Sequence, residues 1–326
     1  MAFKIDRFVL AIIATIVFAY FFPQFGIPSS PIPIAAISAV GFFLIFFFYG
    51  LKLSPTQIKS GLFNWKLHIL VQLSTFVLFP LIILLVHPFI RTEEQQEFWM
   101  ALLFMAALPS TVSSSVVMVS LARGNVPAAI FNASISGIIG ILVTPLWVGL
   151  FLEKSGTDFD YSTIYINLIV GIILPVILGL ALQRYGHSFA VKYSKQLSTF
   201  DKSVILLIIY KSFSESFYNH VFSSINWIDL GILFLIVIAV FYLVFYLIGF
   251  IASKLKFNRE DIITAQFCGT KKSLVHGTIF YKILFKNTAA SSVILLPLML
   301  FHATQIFIIS IIASRLGKEA DAAIKI

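Results

Sequence analysis

The sequence predicts an all-α, polytopic membrane protein, and three observations carry that reading. Of its 326 residues 59% are hydrophobic and only 11% charged, where a soluble protein carries roughly 25% charged residues. Mean hydropathy is +0.99, so water is not the main solvent of this chain. The apolar residues also fall into runs of about 20, the length at which a helix crosses a hydrocarbon core of about 30 Å. There is room for about ten such runs and for no separate soluble domain, so residues 1–326 read as one membrane domain.

Runs bounded by Gly, Pro, Asn or charge place spans at roughly 7–23, 32–50, 65–88, 97–122, 125–151, 163–184, 201–219, 228–253, 260–284 and 288–314. The first run, preceded by Lys4 and Arg7, imitates a secretion signal. It exits through Phe22, Pro23 and Gln24 with no small-x-small cleavage site, so it reads as a retained span. With the N-terminus inside, inside segments collect sixteen of the 23 Lys and Arg residues. Four lie outside (Arg91, Lys154, Lys282, Lys286) and three within spans (Lys211, Lys271, Lys272). That bias places both termini in the cytoplasm and the protein in a cell (inner) membrane. Ten spans divide into repeats of five, about 7–151 and 163–314, and an odd number per repeat inverts the second relative to the first.

The net charge of +9 does not signal nucleic acid, because the basic residues stand singly between apolar runs. The expected partners are the bilayer and a small solute. Cys268, the only cysteine, excludes an intrachain disulfide and a Cys-based zinc site.

Two corresponding spans are interrupted by polar residues. In the fourth, MAALPSTVSSSVVMVSLARGNV, Pro109 removes a backbone donor, and Ser110, Thr111, Ser113, Ser114 and Ser115 add five hydroxyls. Small serines also permit close helix packing, but beside a proline they suggest a broken helix with a hydroxyl-lined gap. In the ninth, REDIITAQFCGTKKSLVHGTIFYKILF, the weak helix points Gly269 and Gly277 bracket Thr270, Lys271, Lys272, Ser273 and His276. A lysine at a span centre costs about 2.5–3.5 kcal/mol on insertion scales, so two in succession require compensation. If the helix continued, their side chains would point about 100° apart, one toward a ligand and the other toward a carboxylate. Glu215 is the candidate carboxylate. It is the acidic residue well inside an apolar stretch, with Lys211 one turn before it as an alternative partner. His302 and Gln305, and Gln72, Ser74 and Thr75, are further polar residues within spans, each more often an interhelical hydrogen bond than a ligand.

The stretches NWKLHILVQLSTFVLFP, LPSTVSSSVVMVSLARGNVPAA, YKSFSES, FCGTKKSL and LPLMLFHATQ together resemble the bile acid:sodium symporter superfamily, solute carrier family 10. The likeness runs over nearly the whole chain and is strongest to the member-7-type branch and its bacterial relatives. It implies ten helices in two inverted five-helix repeats, with broken helices four and nine crossing at the membrane centre. It also implies a core domain moving against a panel domain of spans one, two, six and seven. The family's sodium-binding Ser-Asn pair falls on Ser114 and Ser115 when counted from Pro109, and one position away when counted back from Gly124. Ligands of the fifth span carry over to the neighbourhood of Asn132, Ser134 and Ser136. The family's Glu and Gln of the ninth span fall on Phe267 and Lys271, so two oxygen ligands are lost and a cation is gained.

The function expected is secondary active transport of a small anionic organic solute by alternating access. Lys271 or Lys272 would take the place of a sodium ion, either as a permanent cation or as the carrier of a transported proton. The cofactor expectation is none beyond a coupling ion, Na+ or H+, with Na+ disfavoured by the lysines. An ammonium beside half-helix N-termini would favour an anion. The alternative is a membrane-embedded channel or regulator of ion homeostasis. An enzyme is not expected, since His-Glu-x-x-His, Gly-x-Ser-x-Gly and paired aspartates are missing.

Overall fold

The computed structural model describes residues 7–52, 64–111, 113–152, 161–218, 227–285 and 292–323, which are mostly helical with no strand among them. In chain order the helices are α1 (Arg7–Phe21), α2 (Ile34–Lys52), α3 (Trp65–Leu73), α4 (Phe79–Leu84), α5 (Glu93–Ala107), α6 (Ser113–Leu121), α7 (Val126–Leu152), α8 (Tyr161–Leu168), α9 (Leu174–Ala181), α10 (Gln183–Lys192), α11 (Ser194–Tyr218), α12 (Trp227–Lys254), α13 (Arg259–Thr270), α14 (Leu274–Leu284) and α15 (Leu296–Ala323). One π-helical turn, Ser74–Leu78, joins α3 to α4, and another, Ile169–Ile173, joins α8 to α9.

Among the described residues, five helical stretches are long and apolar enough to cross a membrane: Trp65–Phe89, Val126–Leu152, Tyr161–Ala181, Ile228–Lys254 and Val293–Ala322. Two more, Leu10–Phe21 and Ala36–Lys52, are apolar but shorter. The protein is therefore a multi-pass membrane protein. Helix α7 shows the solvent directly: Ile138, Leu142, Leu146 and Leu150 form an exposed apolar stripe, while Ser136, Gly140 and Thr144 are buried. Polar inside and apolar outside is the arrangement hydrocarbon favours. Helix α10 lies where the sequence suggested only a connection; it is amphipathic and too short to span, and buries Ala190 against Leu51 and Leu197.

The chain clusters into two compact units. The first comprises residues 1–53, 160–226 and 278–292. Here α2 and α9 meet backbone to backbone. A Cβ at Gly50 would stand 2.3 Å from the Val176 carbonyl oxygen, and one at Gly179 2.2 Å from that of Phe47, so neither position admits a side chain. The Tyr210 hydroxyl donates to the Phe22 carbonyl at 2.6 Å, tying α11 to the end of α1.

The second unit comprises residues 54–159, 227–277 and 293–326. One of its ends is organised around the buried carboxylate of Asp261, in the first turn of α13. Asn64, at the start of α3, donates to one carboxylate oxygen at 2.7 Å, and Asn125, just before α7, donates to the other at 2.8 Å. Asn125 also accepts from the Ala128 backbone N–H (3.1 Å), and Asn258 accepts from that of Asp261 (2.8 Å), each closing a helix N-terminus. Three positive helix ends thus converge on one negative charge. Asp261→Asn would set an amide donor against these amide donors. We expect a loss of about 1–3 kcal/mol for the unsatisfied group, measured as thermal unfolding in detergent micelles. Glu319→Gln, which breaks the exposed Arg315–Glu319 pair, should cost at most about 1 kcal/mol.

Candidate functional site

Helix α5 starts with a capping box, in which Thr92 accepts from the Gln95 N–H at 3.2 Å and Gln95 accepts in return. It ends because Leu108, preceding Pro109, is held extended (φ −73°, ψ 151°). Its last carbonyls therefore lack helical donors. The Ser110 N–H is diverted to the Ser136 hydroxyl at 3.0 Å, and Thr144 donates to the Ala107 carbonyl at 2.8 Å. Helix α13 ends without a proline, at Lys271 (φ −76°, ψ 146°). Here the Ser110 hydroxyl donates to the Cys268 carbonyl at 2.6 Å. The two breaks touch through the backbone, Ser273 N–H donating to the Pro109 carbonyl at 2.9 Å. Gly140 lets the Pro109 ring lie against α7, since a Cβ there would stand 2.9 Å from that ring.

Both lysines of the second break are fully buried. The Lys272 ammonium donates to the carbonyls of Thr75 at 2.7 Å, Ala106 at 2.5 Å and Leu108 at 3.0 Å, and lies 4.3 Å from the Phe79 ring centroid. Three acceptors are matched by three N–H bonds only in the charged form. The ammonium also sits at the C-terminal, negative end of α5. Its own backbone is clamped by Gln305, which accepts from the Lys272 N–H and donates to the Lys272 carbonyl, both at 2.8 Å. The Lys271 ammonium donates to the Ser114 carbonyl at 2.7 Å, in the first turn of α6.

The remaining residues read from the sequence fall into three groups. Near the contact of the two breaks, the Thr111 hydroxyl bonds those of Ser114 (2.7 Å) and Ser115 (3.0 Å), and Ser273 caps α14, accepting from the His276 N–H at 3.3 Å. His302 meets the Gln305 amide at 3.0 Å. The Ser113 side chain lies outside the described residues. Turned back on their own helices are Thr270, which donates to the Gln266 carbonyl, and Ser134, which donates to that of Ile130. Asn132 donates to the Ala128 carbonyl at 3.0 Å and receives the Gln72 amide at 3.2 Å. Glu215 belongs to the first unit, where it pairs with Lys211 one turn earlier. The compensation expected from a carboxylate comes to Lys272 from backbone carbonyls instead. Lys282, expected in an outside segment, is in the last turn of α14, 5.2 Å from the Phe42 ring centroid.

Residues 6–318 match the SBF-like CPA transporter family. The chain belongs to that family. An uncharacterized protein of Pseudomonas aeruginosa, PA2026, is 36% identical over 98% of this chain and 95% of its own length. YfeH of Escherichia coli, provisionally named a symporter, is 33% identical over 97% of this chain and 94% of its own. Sodium/bile acid cotransporter 7-A of Xenopus laevis is 32% identical over 94% and 90% respectively. The resemblance to the member-7-type branch and its bacterial relatives thus holds, and this is a family of transporters, not of enzymes.

In this SBF-like chain the oxygens that surround Lys272 are main-chain atoms, which residue type does not report. Their indirect signal is proline. In the π turn the Phe79 N–H bonds the Ser74 carbonyl, five residues back. The next such donor, for Thr75, would be Pro80, which has none. The neighbouring Phe76 carbonyl accepts from the Trp147 indole N–H at 2.8 Å. Gln305→Leu removes both bonds that hold the Lys272 backbone. We expect a loss of about 1–3 kcal/mol of stability, read as a lower unfolding temperature, with a Gln305→Glu variant intermediate because it retains the acceptor.

Proposed function

We propose that the chain is a secondary active transporter of a small organic anion, working by alternating access without sodium. The observation that carries this reading is the pair of broken helices held against each other, with two buried lysines at their contact and three positions for hydroxyls beside Lys271. The Lys271 ammonium has one bond to a carbonyl in the first turn of α6, where helix N–H groups favour an anion. Lys271 is fully buried, so in the proposed cycle a substrate reaches it only when its surroundings open.

The sodium ligands implied by resemblance do not fit. The Ser114 and Ser115 hydroxyls are engaged by Thr111, and the Ser114 carbonyl already receives an ammonium. A sodium ion about 4 Å from that charge would be repelled by about 4 kcal/mol at an effective dielectric of about 20. The coupling ion in this reading is a proton, or there is none.

We assign ten spans in two inverted five-helix repeats, the second compact unit acting as the core domain and the first as the panel. Two features support this. The second unit gathers the third to fifth, eighth and tenth spans with most of the ninth, and the first gathers the first, second, sixth and seventh. The starts of α3, α7 and α13 meet at Asp261, as three odd-numbered spans entering from one side would. Basic residues cluster at that end, where Arg123 pairs with Asp321 and Arg259 donates to the Leu316 carbonyl. This supports our reading that this end and both termini face the cytoplasm, with the protein in the inner membrane.

Uptake of a panel of organic anions into proteoliposomes, with sodium and proton gradients imposed separately, tests the reading. We expect saturable uptake indifferent to sodium and reduced at least about tenfold in Lys271→Ala, since a charge-assisted hydrogen bond is worth about 1.5–3 kcal/mol. Sodium-driven uptake, flux without saturation, or full activity in both Lys271→Ala and Lys272→Ala would overturn it.

A further inference from the structure

The three oxygens around the Lys272 ammonium are oriented by the backbone and not by the lysine. Thr75 has a free carbonyl because the donor five residues on in the π turn is Pro80. The Ala106 carbonyl is free because the helix breaks at Pro109 and Ser110 N–H turns to Ser136, and the Leu108 carbonyl lies beyond the last helical residue. Nor does the position of residue 272 depend on its side chain, since Gln305 grips its N–H and carbonyl. Shortening the side chain would therefore leave three convergent carbonyls at a negative helix end, beneath the face of Phe79. Converging carbonyl oxygens that replace a hydration shell are how proteins hold bare monovalent cations. An aromatic face adds cation attraction.

We propose that this carbonyl cage is a latent binding site for a free monovalent cation of ammonium or potassium size, which Lys272 occupies permanently with a tethered ammonium. The oxygens are those of Thr75, Ala106 and Leu108, distinct from Ser114 and Ser115 and from the positions of Phe267 and Lys271. The wild-type protein carries its cation covalently and so does not respond to the same ions in solution. The lost side chain can then be replaced from solution, which a purely packing role for Lys272 does not allow.

The test uses the full-length Lys272→Ala protein in detergent micelles, its unfolding temperature followed against ammonium, methylammonium or potassium chloride. Choline chloride, too large to enter, is the control at equal ionic strength. We expect the variant to unfold below the wild type, and ammonium or methylammonium to return at least half of the lost temperature interval with a saturating dose response. Choline should return none, and the wild type should be unmoved. Lys272→Met, which fills the space without charge, should be destabilised and should not respond to the small cations. Equal responses to choline and methylammonium, or a Lys272→Met protein as stable as the wild type, would overturn the proposal. If Lys272→Ala is recovered only when a cation is present during purification, yield replaces temperature: recovery with methylammonium but not choline supports it, and no difference between them refutes it. The readout is independent of transport, so cation rescue without uptake would count against the transport reading alone.

Discussion

Inside a bilayer every backbone carbonyl must find a donor within the protein, because no water is there to supply one. Prolines at 80 and 109 break that requirement in two helices that face each other, and the centre of the second unit is built from the repairs. Thr144 answers for Ala107, and Lys272 alone answers for Thr75, Ala106 and Leu108. The second break obeys the same rule, taking Ser110 for the Cys268 carbonyl and Gln305 for both backbone groups of Lys272.

This accounting explains how a lysine comes to lie where insertion penalises it by about 2.5–3.5 kcal/mol. Hydrogen bonds to a charged group contribute about 1.5–3 kcal/mol each, and Lys272 makes three. Lys271, with one such bond, is the less completely satisfied of the two. The adjacent residues therefore differ in role: one closes a set of carbonyls and the other stands at the start of a half-helix among hydroxyls. On the transport reading proposed above, one of the two charges is structural and holds the broken helices together without an ion from solution.

At one end of the second unit electrostatics works in the opposite sense. Three helix N-termini and their asparagines surround the single carboxylate of Asp261. Helix ends that would otherwise repel are drawn together by a negative charge, as the carbonyl ends at the centre are by a positive one. Both clusters are made of neutral donors and acceptors around one ion, so neither depends on a close pair of opposite charges.

The membrane class, the positions of most helices and the break at Pro109 were legible in the sequence, because hydropathy over about 20 residues and the missing N–H of proline are local properties. The double lysine was legible as a conflict, since charge in an apolar run has to be compensated. Its compensation was not: the sequence suggested Glu215, and the tertiary structure pairs Glu215 with Lys211 and gives Lys272 three backbone carbonyls. The start of the second break at Lys271, the turning of Thr270 and Ser134 onto their own helices, and the clamp by Gln305 were likewise decided only by packing. A carbonyl is present at every residue, and only the folded chain determines which ones lose a helical partner and which distant side chain is long enough to reach them.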